Sequence, residues 1–130
     1  HRDLHSFPTR RSSDLVKPLN RQDLKKIRAL KVEESAYPIA DHTVDLLFCS
    51  KVFHEFDNTT DFLMQTARVL KPNGQLFILD WKKEPTEKGP PIEHRIDMNE
   101  GISILKKNGF EIIQSGFIFK NFYYLISRNV

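Results

Sequence analysis

The segment Val44 to Ser50 (VDLLFCS) places the strongest constraint on what this chain can fold into. It is almost continuously apolar, as expected of a strand that is buried on both faces of a sheet. A helical pattern follows from Asn58 to Leu70, where apolar residues recur at steps of three and four. Gln75 to Trp81 (QLFILDW) is a second apolar strand of the same kind. This succession of strand, helix and strand predicts a parallel α/β sheet.

A short polar segment, Lys71 to Gly74 (KPNG), separates the predicted helix from the second strand. We expect Gly74 to supply the positive φ of a tight helix-to-strand turn, because glycine has no side chain to clash there. Further upstream, the sequence predicts the last turns of a helix over Asn20 to Lys26 and a strand over Ile27 to Glu33. The α/β alternation is therefore expected to begin before Val44.

The C-terminal half of the chain changes character. Lys82 to Arg95 is polar and contains three of the seven prolines, so it is predicted to be a surface loop. Asp97 to Asn108 is predicted to be a helix with Asp97 as its cap. Two aromatic and β-branched runs, Phe110 to Phe119 and Asn121 to Arg128, lie almost adjacent in sequence. Their proximity predicts an antiparallel hairpin.

The first fifteen residues, HRDLHSFPTRRSSDL, are set apart from the fold. They match the translation of a common short-read sequencing adapter, and a leader of foreign origin is excluded from fold reasoning. We therefore divide the chain into a non-native leader, residues 1–15, and a partial domain, residues 16–130. The natural reading frame is expected to begin near Val16 and to be cut off on its N-terminal side.

Composition narrows the class of protein. With 39% hydrophobic and 28% charged residues, the chain has the composition of an ordinary soluble globular domain. Its formal net charge of +3 is too weak to indicate nucleic acid or a membrane surface as a partner. No apolar run approaches the roughly 18 residues of a membrane span. The single cysteine, Cys49, lies in an apolar strand and predicts a reduced, cytoplasmic protein, and no metal-ligand spacing is present.

The block from Val44 to Trp81, with the sequence ARVLKPNG at its helix end, resembles the class I S-adenosylmethionine-dependent methyltransferases of the type 11 kind. The resemblance implies the C-terminal part of a doubly wound, Rossmann-like sheet that ends in an antiparallel hairpin. It also implies that the first two strands are missing, because all five glycines lie at or after Gly74 and no Gly-rich cofactor loop occurs. S-adenosyl-L-methionine is the implied cofactor and a small molecule the implied substrate of the intact parent. The chain by itself is expected to be inactive.

The same resemblance assigns roles in cofactor binding to residues beside the two strands. An acidic residue after the preceding strand holds the adenine amino group in this family, which implies Glu33 or, as second choice, Glu34. An aromatic residue beside the adenine and a segment after the next strand complete the implied set. The cofactor-binding residues are therefore predicted to be Glu33, Glu34, Tyr37, Ser50, Lys51 and Val52.

His54 and Glu55 form an adjacent pair of histidine and carboxylate residues just after the first strand, where open α/β sheets bind ligands. Such a pair suits general-base chemistry on a hydroxyl, thiol or amine, so both are candidate catalytic residues. His54 as a positioning or pocket residue is the alternative. The loop Lys82 to Arg95 is either a lid over the substrate or a solvated connection. The residues predicted to line the substrate pocket are Phe53, Asp80, Trp81, His94 and Arg95.

A second functional hypothesis belongs to another class. The chain could be a non-catalytic, methyltransferase-like α/β module that binds a protein partner through an exposed sheet edge. Strand order predicts such an edge along Val44 to Ser50 if the first two strands are missing. The methyl acceptor and the oligomeric state are not determined by the sequence.

Overall fold

A computed structural model describes residues 36–130. The predicted helix over Asn20 to Lys26 and strand over Ile27 to Glu33 lie outside the described residues. Within them, four strands form one sheet, with two α-helices and two short 3₁₀ turns between them. The elements in chain order are β1 (Val44–Ser50), a 3₁₀ turn (Phe53–Glu55), α1 (Thr59–Val69), β2 (Leu70–Trp81), a 3₁₀ turn (Ile92–His94), α2 (Met98–Lys107), β3 (Phe110–Ile118) and β4 (Phe122–Asn129).

The parallel pairing of β1 with β2 confirms the central sequence prediction. Leu46 pairs with Gln75, and Ser50 pairs with Leu79 at the carboxyl end. Helix α1 connects the two strands and begins at Asn58, whose side chain accepts a hydrogen bond from the Asp61 backbone N–H at 3.1 Å. A parallel pair requires a crossover of this kind, since both strands run in the same direction.

The expected turn at Lys71 to Gly74 differs from the prediction. Strand β2 already begins at Leu70, which pairs with Val44, and the register then jumps so that Leu46 meets Gln75. The residue with positive φ in this segment is Asn73, at 67°, so the prediction for Gly74 was wrong. Gly74 is required for another reason, because a Cβ there would lie 2.8 Å from the Lys71 carbonyl oxygen. Asparagine tolerates the left-handed conformation better than most residues.

The C-terminal hairpin forms as predicted and enters the sheet in the expected place. The strand order is β1-β2-β4-β3, so β4 lies between β2 and β3 and runs antiparallel to both. Trp81 at the end of β2 pairs with Phe122 at the start of β4. The tip of the hairpin therefore lies at the carboxyl end of β2. The partial doubly wound sheet with an antiparallel hairpin is confirmed.

The sheet buries apolar side chains on both faces, as the continuous apolar strands predict. Both helices cover one face, where Cys49, Ile78, Tyr123 and Leu125 are buried against α1 and α2. Neighbouring residues on the same strands point to the opposite face, because side chains alternate along a strand. That second cluster contains the buried residues Phe48, Phe77, Leu79 and Ile126. In the sheet of the described residues, β1 is an edge strand.

We predict that Asn58→Ala lowers the free energy of unfolding by about 1 kcal/mol, because the first turn of α1 loses its side-chain cap. Asn58→Asp keeps an oxygen acceptor at the same position and serves as the control. Urea unfolding of the three proteins provides the measurement. Equal stability of Asn58→Ala and Asn58→Asp would contradict the capping role.

Candidate active site

The carboxyl ends of β1 and β2 bring two polar segments together at one edge of the sheet. The chain leaves β1 at Lys51, whose φ of 62° turns the backbone out of the strand. The Lys51 N–H donates to the Leu79 carbonyl at 2.6 Å, which ties this exit to the neighbouring strand. The 3₁₀ turn Phe53–Glu55 then lies over the end of β2. Ligands of open α/β sheets bind at this edge.

Asp80 is the centre of the hydrogen-bond network at this edge. The residue is 1% exposed, and its carboxylate accepts hydrogen bonds from three directions. The Trp81 backbone N–H donates to Oδ1 at 2.8 Å, and the His54 backbone N–H donates to Oδ2 at 2.9 Å. The His54 ring places Nδ1 at 2.8 and 3.0 Å from the two carboxylate oxygens. One buried carboxylate therefore holds both the 3₁₀ turn and the imidazole.

Burial governs the protonation of this carboxyl group. Desolvation raises the pKa of Asp80 above its ordinary value of 3.8, and the hydrogen bond from Trp81 and the interactions with His54 lower it in part. A carboxylate in such a site depends on its donors for stability, since an unpaired buried charge is costly. The His54 side chain is 7% exposed, so the pair is shielded from bulk water. The hydrogen bonds to Asp80 therefore fix the orientation of the His54 ring.

The carboxylate partner of His54 is Asp80, whereas the sequence placed its neighbour Glu55 beside it. Glu55 is exposed, and its backbone N–H donates to the Val52 carbonyl within the turn. Successive residues of a 3₁₀ turn point about 120° apart. Adjacency in sequence therefore did not bring the two side chains together. Asp80 is 26 residues away in sequence and meets His54 because β1 and β2 are parallel neighbours.

Aromatic packing against the core anchors the 3₁₀ turn Phe53–Glu55. Phe53 is completely buried in the main core rather than at the surface of a pocket. Its ring lies 6.1 Å from that of Phe62 on α1, and Phe56 stacks on the same Phe62 ring at 4.2 Å. The predicted pocket residue Phe53 therefore supports His54 from the core side.

An aromatic wall extends from the end of β2 on the face of the sheet opposite to Asp80, because side chains alternate along a strand. The rings of Trp81 and Phe122 lie 4.6 Å apart, and the Lys51 ammonium lies 4.9 Å from the Phe122 ring centre. Beyond them, the Lys82 ammonium lies 5.0 Å from the ring of Phe117. Phe122 was missed in the sequence because only the β2–β4 register brings it to Trp81. The predicted pocket residue Trp81 does reach this edge.

The two remaining predicted pocket residues lie in the loop after β2 and have different environments. His94 is exposed in the second 3₁₀ turn. Arg95 is 4% exposed, and its guanidinium donates hydrogen bonds inward to the loop. Among the described residues, Arg95 therefore stabilises the loop from within rather than facing a cleft.

The predicted cofactor segment is described in part. Glu33 and Glu34 lie outside the described residues. Ser50 and Val52 are half-buried on either side of the exposed Lys51, at the exit from β1. Tyr37 is held against α1, because its N–H donates to Gln65 Oε1 at 3.3 Å and its carbonyl accepts from Arg68 at 2.7 Å. Tyr37 therefore lies near the amino end of β1, and the segment Ser50–Val52 lies at its carboxyl end.

The comparisons with known proteins agree with this architecture. The family model described as "Methyltransferase domain" matches residues 10–78, just over half of the 130 residues. The chain belongs to the methyltransferase domain family. A SAM dependent methyltransferase from Aquifex aeolicus has the same fold, with a TM-score of 0.79 and 35% identity. That match covers 85% of this chain and 58% of the Aquifex protein.

Two proteins of Schizosaccharomyces pombe are also similar over a shorter stretch. One is named an uncharacterized methyltransferase and the other methyltransferase-like, and they are 46% and 43% identical to this chain over 44 residues. Each match covers 34% of this chain and 17% of the relative. The chain thus spans a part of the length of its relatives. These relationships confirm the recognised family and S-adenosyl-L-methionine as the cofactor of that family.

Two further properties concern residues 36–130. Their helices are all too short or too polar to cross a membrane. In the same range, histidine, cysteine and acidic side chains do not gather in threes around a potential metal position.

We predict that the difference in unfolding free energy between wild type and Asp80→Asn depends on pH. Because the folded-state pKa of Asp80 is raised, its protonation contributes stability that is fully present below about pH 3.8. This contribution is lost as the pH rises through the folded-state pKa, and asparagine has no such contribution. The stability of wild type relative to Asp80→Asn should therefore fall as the pH rises from about 3.8 through the folded-state pKa. Urea unfolding at several pH values measures it, and a rise over this range would contradict the assignment.

Tyr123 lies directly opposite Asp80 on β4 and is completely buried. Its hydroxyl has no hydrogen-bond partner among the described residues. Burial, and then the nearby Asp80 carboxylate, raise the pKa of Tyr123 above its ordinary value of 10.0. The phenol therefore stays neutral at this site.

We predict that Tyr123→Phe raises the free energy of unfolding by about 1 kcal/mol, because it removes a desolvated hydroxyl without a partner. The aromatic ring and its packing are kept in this variant. Thermal or urea unfolding compared with wild type tests the effect. A clear loss of stability would show that the hydroxyl has a bonding partner in solution.

Proposed function

We propose that the full-length protein transfers a methyl group from S-adenosyl-L-methionine to a small molecule, and that His54 accepts the proton released by the acceptor. The observation that supports this most is the buried contact between His54 Nδ1 and the Asp80 carboxylate at the edge of the sheet where ligands bind. The Aquifex relative, which is a SAM dependent methyltransferase, supports the reaction class.

The segment Ser50 to Val52 is proposed to form part of the cofactor site. The Lys51 backbone turns sharply out of β1, so the polypeptide at Ser50 to Val52 can approach a ligand closely. Ser50, Lys51 and Val52 would hold the ligand at the carboxyl end of β1, with Glu33 or Glu34 at the adenine. Tyr37 contacts the last turns of α1, near the amino end of β1. S-adenosyl-L-methionine supplies a methyl group on a sulfonium, which is already an excellent leaving group. The task of the protein residues is therefore mainly alignment of the acceptor.

The two members of the pair have distinct roles in this proposal. An ionised carboxylate can only accept hydrogen bonds, so the ring nitrogen facing Asp80 carries the proton. The other nitrogen, Nε2, then has a lone pair and forms no hydrogen bond to the described residues. As the acceptor forms its bond to the methyl group, its O–H, N–H or S–H proton passes to Nε2. The negative Asp80 stabilises the resulting imidazolium.

The neighbouring side chains complete the proposed acceptor site. Trp81 and Phe122 form an apolar surface at the same end of the sheet, on the face opposite to Asp80, and are proposed to border the acceptor there. His94 is exposed on the loop and is proposed to contact the acceptor at its outer side. Glu55 stays a second candidate for proton transfer, although its exposed position and its absence from the His54–Asp80 hydrogen bonds make it the weaker one. A cytoplasmic location stays a prediction.

Substitution of the pair tests the proposal, with tritiated methyl transfer to a panel of small hydroxyl, amine and thiol compounds as the assay. His54→Gln should lower kcat by about 100-fold or more, because the acceptor's proton loses its base. Asp80→Asn should lower kcat by about tenfold or more, because an amide no longer fixes the required ring tautomer. Glu55→Gln is the matched control and should leave kcat unchanged.

Different outcomes separate the hypotheses. Loss of activity in Glu55→Gln with full activity in His54→Gln would overturn the assignment of the base. Calorimetric titration with S-adenosyl-L-methionine tests the cofactor separately, and failure of the full-length protein to bind it would overturn the proposed function. Binding without transfer to any compound would favour the non-catalytic, methyltransferase-like module.

A further inference from the structure

We infer that Arg95 is a positioning residue, which holds the loop Lys82 to Arg95 in one conformation against Trp81 before a ligand binds. This inference rests on the proposed function for its biological role, because the loop begins at the carboxyl end of β2, the edge at which the acceptor is proposed to bind. The folding of the loop itself depends only on contacts within the described residues. The sequence assigned Arg95 to the substrate pocket, and its environment is different.

The guanidinium of Arg95 is enclosed by the loop that it terminates. Its five N–H groups point to five oxygen atoms, and these come from every second residue of the loop. Nε donates to the Pro90 carbonyl at 2.9 Å. The other two nitrogens donate to the carbonyls of Lys82 (3.1 Å), Glu84 (2.8 Å) and Lys88 (3.4 Å), and to Thr86 Oγ1 (2.7 Å). The planar fork of arginine suits such an arrangement, and lysine cannot reproduce it.

The same guanidinium holds the loop against the aromatic wall. Its central carbon lies 5.1 Å from the Trp81 ring centre. Gly89 contacts that ring as well, because a Cβ built on it would lie 3.0 Å from three ring atoms. Its φ of 105° is a conformation that residues with side chains rarely adopt. Arg95 and Gly89 thus fix the loop on Trp81 through two independent contacts.

This arrangement determines what the loop can do at the active-site edge. Trp81 follows Asp80 directly and contacts Phe122, which lies under the Lys51 ammonium. The Lys82 N–H also donates to the Asn121 carbonyl at 2.8 Å, which joins the start of the loop to the hairpin tip. The hydrogen bonds from Arg95 and the one at Lys82 order this loop before ligand binding. The acceptor would therefore meet a rigid loop rather than a lid that closes on it.

Proteolysis at glutamate residues tests the inference in the full-length protein, because Glu87 and Glu93 lie in the loop and no substitution alters them. Arg95→Met should raise the cleavage rate at Glu87 and Glu93 about tenfold or more, while cleavage at Glu100 and Glu111 stays unchanged. Gly89→Ala should act in the same direction without removing a charge. Arg95→Lys should restore protection only in part, and Lys83→Met is the control for loss of an exposed charge in the same loop.

The fluorescence of Trp81, the one tryptophan among these 130 residues, gives an independent readout. Arg95→Met and Gly89→Ala should shift its emission to longer wavelength and increase its quenching by acrylamide, whereas Lys83→Met should do neither. Unchanged loop cleavage and unchanged Trp81 emission in Arg95→Met would overturn the inference, as would full protection in Arg95→Met together with cleavage in Lys83→Met. Titration with S-adenosyl-L-methionine is a separate measurement, so its failure in wild type would affect the proposed function alone.

Discussion

The parallel pairing of β1 with β2 is the constraint on which the candidate site depends. Two parallel strands end at the same edge of a sheet, so whatever follows them in sequence must meet there. For this chain those residues are the turn that carries His54 and the strand end that carries Asp80. The α1 crossover makes the pairing possible, and the antiparallel β4 protects the other side of β2. The chemistry of the site follows from this topology.

Two buried charges organise the polar segments on top of an apolar sheet. The Asp80 carboxylate accepts hydrogen bonds from N–H groups at both strand ends. The Arg95 guanidinium donates hydrogen bonds to carbonyl groups of its own loop. A buried charge is tolerated only when its hydrogen bonds are satisfied. Each group therefore imposes one geometry on the segment around it. Trp81 lies between these two centres and contacts the Arg95 side chain directly.

Much of the fold could be read from periodicity, and the site only in part. The apolar run Val44–Ser50 coincides with β1, and the predicted helices and hairpin match α1, α2, β3 and β4 closely. The prediction of a positive φ at Gly74 was wrong, because the positive φ falls on Asn73. The glycine is needed instead to avoid a steric clash. His54 and Asp80 were both selected from strand ends, but as members of different groups. Local sequence rules do not report which distant side chains meet.

The sequence by itself determined the order of strands and helices, the family resemblance and the edge at which ligand binding is predicted. Those properties depend on hydrophobic spacing, caps and turn residues, which are local in the chain. The tertiary structure decided the partners: Asp80 rather than Glu55 for His54, Phe122 for Trp81, and loop carbonyls for Arg95. These contacts depend on strand register and on the satisfaction of buried charges. Both are properties of the packed chain, because they join residues that are far apart in sequence or fold a loop back on itself.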